Sequence, residues 1–246
     1  MYHDSGNVWA PNIPGWDNYP LLQELEAEFG DTATIRIDSD RACCILAETW
    51  LGTAQGCRNA IFVAVGTGIG AGILVDGRIL RGHGDIAGAT GWMALQRPYE
   101  EKYDACGCFE YYASGDGIAR TAAEIAKNKT AYSGPLSRGT LRAEDVFSAY
   151  KKNDPVARET FENVIGLWGM AVANYVSLFN PEKVIFGGGV FGPAGQFLPR
   201  IAKEARKWAQ PIGITQVSIE LTTLGKEAGL FGAGRLAILQ EKKETS

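Results

Sequence analysis

The length, composition and charge of the chain exclude several classes of protein. The 246 residues are 46% hydrophobic and 21% charged, which is ordinary for a globular protein that buries a core. A formal net charge of −4 gives no reason to expect nucleic acid or an anionic membrane as a partner. Five cysteines without regular spacing argue against a disulfide framework and for a reducing, cytoplasmic compartment. No apolar run approaches the roughly 18–20 residues of a membrane span.

In chain order, the first half predicts short helices and strands separated by glycine-rich turns. After an irregular start, a helical pattern covers Leu21–Phe29 and a short β-type run covers Thr34–Ile37. An apolar helix is expected at Ala42–Leu51. The pair Asp76-Gly77 is typical of a two-residue hairpin turn. Around it three strands are predicted: Ala60–Val65, Ile73–Val75 and Arg78–Leu80.

The second half alternates helices with strands. Its clearest feature is a long amphipathic helix over Asp154–Phe179, with apolar residues spaced by three and four. The helices predicted elsewhere are Ser114–Lys127, Ala143–Tyr150, one beginning at Pro193, and Gly225–Leu239. The strands are Lys183–Phe186 and Val217–Leu221. The pattern indicates an α/β fold in which a three-strand meander precedes alternating helices and strands.

Two glycine runs follow predicted strands. Residues 66–72 leave several backbone N–H groups able to face an anion, and a tight hairpin without a ligand is an equally good interpretation. The run is not a Walker A loop, because no Lys-Ser or Lys-Thr follows. Residues 187–189 lie at the end of a strand, where open α/β sheets bind ligands. The alternative interpretation of residues 187–189 is a plain strand-to-helix turn that binds no ligand.

Two aspartates precede the helix predicted at Ala42–Leu51. Asp38 or Asp40 could act as a general base, since a carboxylate within hydrogen-bond reach of a hydroxyl can take up its proton. Either could equally cap the helix N-terminus, which is the common role of an isolated aspartate there. The composition alone does not choose between these interpretations.

Seven motifs follow one another along nearly the whole chain. They are Ala10–Trp16, Ile37–Ala42 with Glu48 and Gly52, Val65–Gly72, Ile86–Met93, Gly107–Glu110, Val184–Gly189 and Ala228–Ala233. In order and spacing they resemble the ROK family of sugar kinases. Each motif is weak by itself, but their shared order is hard to obtain by chance.

The resemblance implies a fold and an activity. The fold is α/β of the actin-like ATPase (ribonuclease H-like) type, with a mixed sheet, the three-strand meander and flanking helices. The activity is transfer of the γ-phosphoryl group of ATP, with Mg²⁺, to a hydroxyl of a hexose or amino-hexose. The partners are a small sugar and a second copy of the chain in a homodimer. Residues 1–56 would be a remnant of an N-terminal lobe and 57–246 the C-terminal lobe, with the helix at 226–243 packing back on the former.

The resemblance also implies residue roles. Asp40 matches the catalytic aspartate that deprotonates the sugar hydroxyl. The residues matched to sugar contacts are Asn12, Ser39 and Glu110, with Trp92 as a further candidate. Those matched to the nucleotide are Gly66, Thr67 and Gly68 in a phosphate-binding turn and Gly188 and Gly189 in a loop on the adenosine side.

The sequence departs from the family pattern at its beginning. The family carries an Asp-x-Gly-Gly-Thr phosphate loop in a lobe that precedes these motifs, and this sequence contains no such motif. A fragment, a natural short form or a chain completed by a second chain is therefore expected, with an incomplete cradle for phosphate and Mg²⁺. The apolar face of the last helix, at Leu230–Leu239, would lose its cover and favour self-association.

A second departure concerns the zinc site that the resemblance implies. The family uses one His and three Cys; here the His position is Trp92, and the first two Cys positions are Glu101 and Tyr103. Only Cys108 remains, and Cys106 lies out of register. A Cys-x-Cys pair alone is a poor tetrahedral site, so zinc is not expected.

A third departure concerns the sugar. Ala89 replaces a sugar-binding Glu and Trp92 replaces its paired His, so glucose specificity is not carried over. Trp92 could stack on a sugar face or could fill the core. A non-catalytic sugar-binding or regulatory protein is the main alternative to a kinase. An actin-like ATPase unrelated to sugars is disfavoured by the pattern of Asn12, Asp40 and Glu110.

Overall fold

A mixed five-stranded sheet lies between layers of helices. The computed structural model describes residues 5–10 and 13–244. Within these ranges the strands are β1 Ala60–Val65, β2 Ile69–Val75, β3 Arg78–Ile79, β4 Lys183–Gly187 and β5 Ser218–Leu221. The α-helices are α1 Leu21–Phe29, α2 Asp40–Trp50, α3 Cys108–Ala113, α4 Gly115–Asn128, α5 Ala143–Lys151, α6 Pro155–Phe179, α7 Phe191–Ala194, α8 Leu198–Trp208, α9 Gly213–Gln216 and α10 Ala228–Glu244. Over the same part of the chain, no helix combines the length and apolar character needed to cross a membrane.

The order of strands in the sheet is β3-β2-β1-β4-β5. β1, β2 and β3 form the antiparallel meander that the sequence predicts, and β1, β4 and β5 are parallel. Ala64 of β1 is in register with Gly187 of β4. Because β1 and β4 run in the same direction, the two glycine runs that follow them emerge side by side at one edge of the sheet.

The sheet is buried on both faces. Ile61, Val63 and Val65 of β1 belong to the larger core, which α6 shares with α3, α4, α5 and α8. Phe62 lies on the opposite face, in a smaller core with Ile45 of α2. This two-residue alternation explains why β1 is an almost continuous apolar run, as expected for a strand covered on both sides.

The long helix α6 is fixed at both ends and in its middle. Asp154 caps it by accepting hydrogen bonds from the N–H groups of Val156 and Ala157, at 2.9 and 3.0 Å. Asn180 ends it in a left-handed conformation with φ of 40°. The fully buried Trp168 donates from Nε1 to the carbonyl of Ala113 at 3.2 Å, which ties α6 to the end of α3.

Helix α2 packs closely against the meander and is itself covered by α10. A Cβ at Gly72 of β2 would lie 2.1 Å from the carbonyl oxygen of Arg41, so only glycine permits this approach. The buried Glu48 near the end of α2 accepts from the backbone N–H of Thr53 at 2.7 Å and from the hydroxyl of Thr222, beyond β5.

The division of the chain into two lobes at residue 56 stays a prediction.

Two sequence predictions of structure were wrong. Thr34–Ile37 is not a strand, since it has no partner in the sheet among the described residues. The glycine run 66–72 is not one turn, because β2 already begins at Ile69. Gly70 and Gly72 are strand residues whose missing side chains make room for α2 rather than for a bend.

Candidate active site

The first glycine turn, residues 66–68, presents an open backbone surface. The N–H of Gly66 donates to the carbonyl of Gly68 at 2.9 Å, which closes the turn. A Cβ added at Gly66 would meet no heavy atom of the described residues within 4 Å. Thr67 at its tip is exposed. The turn therefore leaves space for a ligand to approach the main chain closely.

The second glycine turn, residues 187–189, lies directly against the first. Gly188 has φ of +88°, and a Cβ there would lie 2.4 Å from the carbonyl oxygen of Val65. The N–H of Val190 donates to the same carbonyl at 3.1 Å. A Cβ at Gly189 would meet no described heavy atom within 4 Å. The second turn thus has one glycine fixed by packing and one that faces open space.

This difference predicts opposite outcomes for two neighbouring substitutions. Gly188→Ala should destabilise the fold by about 1–3 kcal/mol or more, because it combines a left-handed backbone with a clash against the main chain. Gly189→Ala should leave the free energy of unfolding within about 0.5 kcal/mol. Urea unfolding of both variants measures the difference, and equal midpoints would contradict the described packing.

The start of α4 is a part of the site that the sequence did not assign. Ser114 caps α4 by accepting from the N–H of Gly117 at 3.0 Å, and the N–H of Gly115 donates to the carbonyl of Gly66 at 2.7 Å. The partial positive charge of a helix N-terminus favours an anion nearby. The Ser-Gly-Asp-Gly sequence signals the helix start, but nothing in it indicates the contact with residue 66.

Glu110 of α3 lies between the first glycine turn and the motif at 86–93. Its Oε2 accepts from the N–H of Ile69 at 2.6 Å. A Cβ at Gly68 or at Gly91 would lie 2.7 or 2.8 Å from the same oxygen. Burial raises the pKa of Glu110, while the hydrogen bond from Ile69 and the charge of Arg120 oppose that rise. Within the described part of the chain, no hydrogen bond is made to the other carboxylate oxygen.

Trp92 follows Gly91 directly and has 54% of its surface exposed. The interpretation of Trp92 as a core residue is therefore wrong. An exposed indole, one residue after the glycine that contacts Glu110, is a suitable surface for the C–H face of a sugar ring. That role stays a prediction.

The two candidate aspartates have different environments. The side chain of Asp38 is 4% exposed, and both of its oxygens accept from the guanidinium of Arg81 at 2.6 Å. The side chain of Asp40 is 92% exposed. Ser39, not an aspartate, caps α2 by accepting from the N–H of Ala42 at 3.2 Å. Asp38 is thus engaged in a buried ion pair, whereas the carboxylate of Asp40 is open to a ligand.

Arg41 brings the end of α2 that carries Asp40 to the start of β2. A Cβ at Gly70 would lie 2.4 Å from Cδ of Arg41, so the arginine side chain crosses the strand there. The neighbouring residue is Ile69, whose N–H binds Glu110. The start of β2 therefore follows the first glycine turn and contacts both Glu110 and the side chain of Arg41, the residue after Asp40. Asn12, the remaining predicted site residue, lies outside the described residues.

Comparison with known proteins identifies the family of the chain. The sequence model of the ROK family matches residues 2–240. A glucokinase of Halalkalibacterium halodurans is 34% identical over 97% of this chain and 73% of its own length. A beta-glucoside kinase of Listeria innocua is 29% identical over 90% of this chain and 70% of its own length.

Solved structures give the same result. The ROK family glucokinase of Streptomyces griseus, in complex with glucose and AMPPNP, superposes with a TM-score of 0.78 at 28% identity, covering 96% of this chain and 80% of that one. The ROK hexokinase of Thermus thermophilus has the same TM-score and identity, covering 99% and 77%. The expected actin-like ATPase fold of the sugar kinases is confirmed. With a family match over almost its whole length and a relative above 30% identity, this chain belongs to the ROK family.

Proposed function

We propose that this protein is an ATP-dependent sugar kinase that transfers the γ-phosphoryl group to a hydroxyl of a hexose or amino-hexose. The observation that carries the proposal is the meeting of three features at the start of β2. The open turn at 66–68 precedes β2. Glu110 accepts a hydrogen bond from the N–H of Ile69, the first residue of β2, and the side chain of Arg41, the residue after Asp40, lies against Gly70, the second. These are the parts that phosphoryl transfer to an alcohol needs: a phosphate cradle, a sugar contact and a base.

Asp40 would act as the general base. Its carboxylate is exposed; its Oδ1 accepts a hydrogen bond from the N–H of Arg41 at 2.8 Å and lies 4.0 Å from Nε of the same residue. It can therefore accept the proton of the sugar hydroxyl as that oxygen attacks the γ-phosphorus of ATP. Ser39 and Glu110 would hold neighbouring hydroxyls, with Asn12 as a further contact. Trp92 would pack on the ring.

The two glycine turns would hold the nucleotide. Gly66, Thr67 and Gly68 would face its phosphates with backbone N–H groups and a hydroxyl, while Gly188 and Gly189 would lie on the adenosine side. The open space at Gly66 and Gly189 supports close approach of a ligand to the main chain. Mg²⁺ bound with ATP would neutralise charge on the phosphate oxygens.

The sugar proposed is one that tolerates two changes in the site. Ala89 and Trp92 supply no carboxylate or imidazole where the family has them, so a ligand with fewer hydroxyl contacts and a larger apolar face is favoured. We also propose a cytoplasmic homodimer. The five unpaired cysteines support a reducing compartment, and Leu230 of α10, 74% exposed, supports self-association.

The test is a coupled assay of ADP release from Mg²⁺–ATP with a panel of hexoses, amino sugars and β-glucosides. The expected result is ADP formation that depends on one sugar class, with a kcat in the ordinary range of about 1–10³ s⁻¹. Calorimetric titration of each sugar, with and without AMPPNP, accompanies the assay. Heat of binding from a sugar without any ADP formation would overturn the proposed kinase activity and support a non-catalytic sugar-binding or regulatory protein.

A further inference from the structure

A group of tyrosines around one lysine is formed by the segment just before α3 together with α3 itself. The rings of Tyr103, Tyr111 and Tyr112 meet edge to face, with centroids 5.7, 5.9 and 5.0 Å apart. The ammonium of Lys102 lies 5.2–5.6 Å from all three centroids. Glu100 accepts from the hydroxyl of Tyr103 at 3.0 Å and pairs with Lys102 at 3.0 Å. We refer to these five residues as the tyrosine cluster.

The tyrosine cluster connects three parts of the chain. The hydroxyls of Tyr103 and Tyr112 are hydrogen-bonded at 2.9 Å, which joins the segment at 100–103 to α3. Tyr111 donates from its hydroxyl to Glu124 of α4 at 2.8 Å, and its ring stacks beneath Arg120 at 4.2 Å. Cation–π contacts and edge-to-face ring pairs each contribute stabilisation beyond the burial of apolar area.

The same segment is where the family resemblance implies zinc, and the donor set does not fit that metal. The positions of the His and of two of the Cys are Trp92, Glu101 and Tyr103. Trp92 has no free nitrogen lone pair, and the hydroxyl of Tyr103 is already hydrogen-bonded. Among the described residues, no group of three or more His, Cys, Asp or Glu could hold a metal ion.

We propose that the tyrosine cluster holds the segment at 99–107 on α3 and α4 in place of a metal ion, so that this protein folds without zinc. Tyr103 is 5% exposed and contacts the other four members of the cluster. Since Tyr111 and Tyr112 directly follow Glu110 in α3, the same contacts fix the orientation of the carboxylate that binds the N–H of Ile69.

The first test is thermal unfolding of the purified chain with EDTA and with added Zn²⁺. A ligand that binds only the folded state at 100 times its Kd would raise the Tm by about 5–11 °C. We expect neither reagent to shift the Tm beyond error, and no zinc to co-purify. A rise with Zn²⁺ that disappears in Cys106→Ser, or one zinc per purified chain, overturns the proposal.

The second test removes single hydroxyls. Tyr103→Phe should lower the Tm by about 2–6 °C, because it leaves Glu100 and the half-buried hydroxyl of Tyr112 without their hydrogen bonds to this buried residue. Tyr99→Phe is the matched control: Tyr99 is 69% exposed and its hydroxyl also binds one carboxylate, that of Asp104, so its Tm should change by less than about 2 °C. Equal changes in the two variants would overturn the proposal. Neither test depends on kinase activity.

Discussion

Replacement of Asp40 by Asn is expected to lower kcat for sugar phosphorylation by roughly 10²–10⁴-fold, while sugar binding persists. The amide has the shape of the carboxylate but cannot take up the hydroxyl proton. Because the side chain is 92% exposed and Ser39 caps α2, the substitution should not unfold the helix. The measurements are kcat from the ADP-release assay and the sugar Kd from calorimetry. Asp40→Ala should show the same loss.

The matched control is Asp76→Asn. Asp76 is also exposed, but it lies in the β2–β3 hairpin at the opposite end of β2 from Ile69. Its φ of 49° is a conformation that Asn adopts readily. This variant should keep the kcat of the unmodified protein. If Asp40→Asn retained turnover equal to that of the control, Asp40 would not be the base, even if the protein remained a kinase.

Local sequence patterns predicted the elements that depend on local chemistry. Asp76-Gly77 placed the hairpin, and the three-four spacing of apolar residues placed α6 within one residue. The motif order predicted the family, which the comparisons confirm. The roles of the single site residues stay predictions, although the structure places Glu110 beside the glycine turn as those roles require.

The features that the sequence did not predict depend on contacts between distant parts of the chain. The local sequence pattern does not separate Asp38 from Asp40, and only the family resemblance selected Asp40. In the structure the guanidinium of Arg81, 43 residues away from Asp38, distinguishes the two. Thr34–Ile37 has the composition of a strand, but a strand also needs a neighbour with which to pair. The tyrosine cluster likewise has no recognisable spacing, because its contacts come from side-chain packing.

Replacement of Arg81 by Ala is the substitution with the largest expected effect on stability. It removes the cation from the buried carboxylate of Asp38 and from that of Asp85, whose Oδ1 lies 3.7 Å from Arg81 Nη1 and whose side chain is 5% exposed. Breaking a buried ion pair by removing one partner costs about 3–5 kcal/mol. Arg81→Lys should be intermediate, since an ammonium cannot bind both oxygens of Asp38 as a planar fork does. Urea unfolding measures these differences.

Arg81→Ala should also alter the active site. Asp38 accepts a hydrogen bond from the N–H of Ser39 at 2.8 Å and thereby fixes the backbone that leads into Asp40. We expect a lower kcat per folded molecule in Arg81→Ala, with a smaller change in sugar affinity. Arg58→Ala is the control, since its pair with Asp76 is exposed and worth at most about 1 kcal/mol. The double variant Arg81→Ala with Asp38→Asn should regain part of the lost stability, because the uncompensated charge of Asp38 is then gone. Equal stability of Arg81→Ala and Arg58→Ala would mean that the buried pair does not anchor the loop before α2.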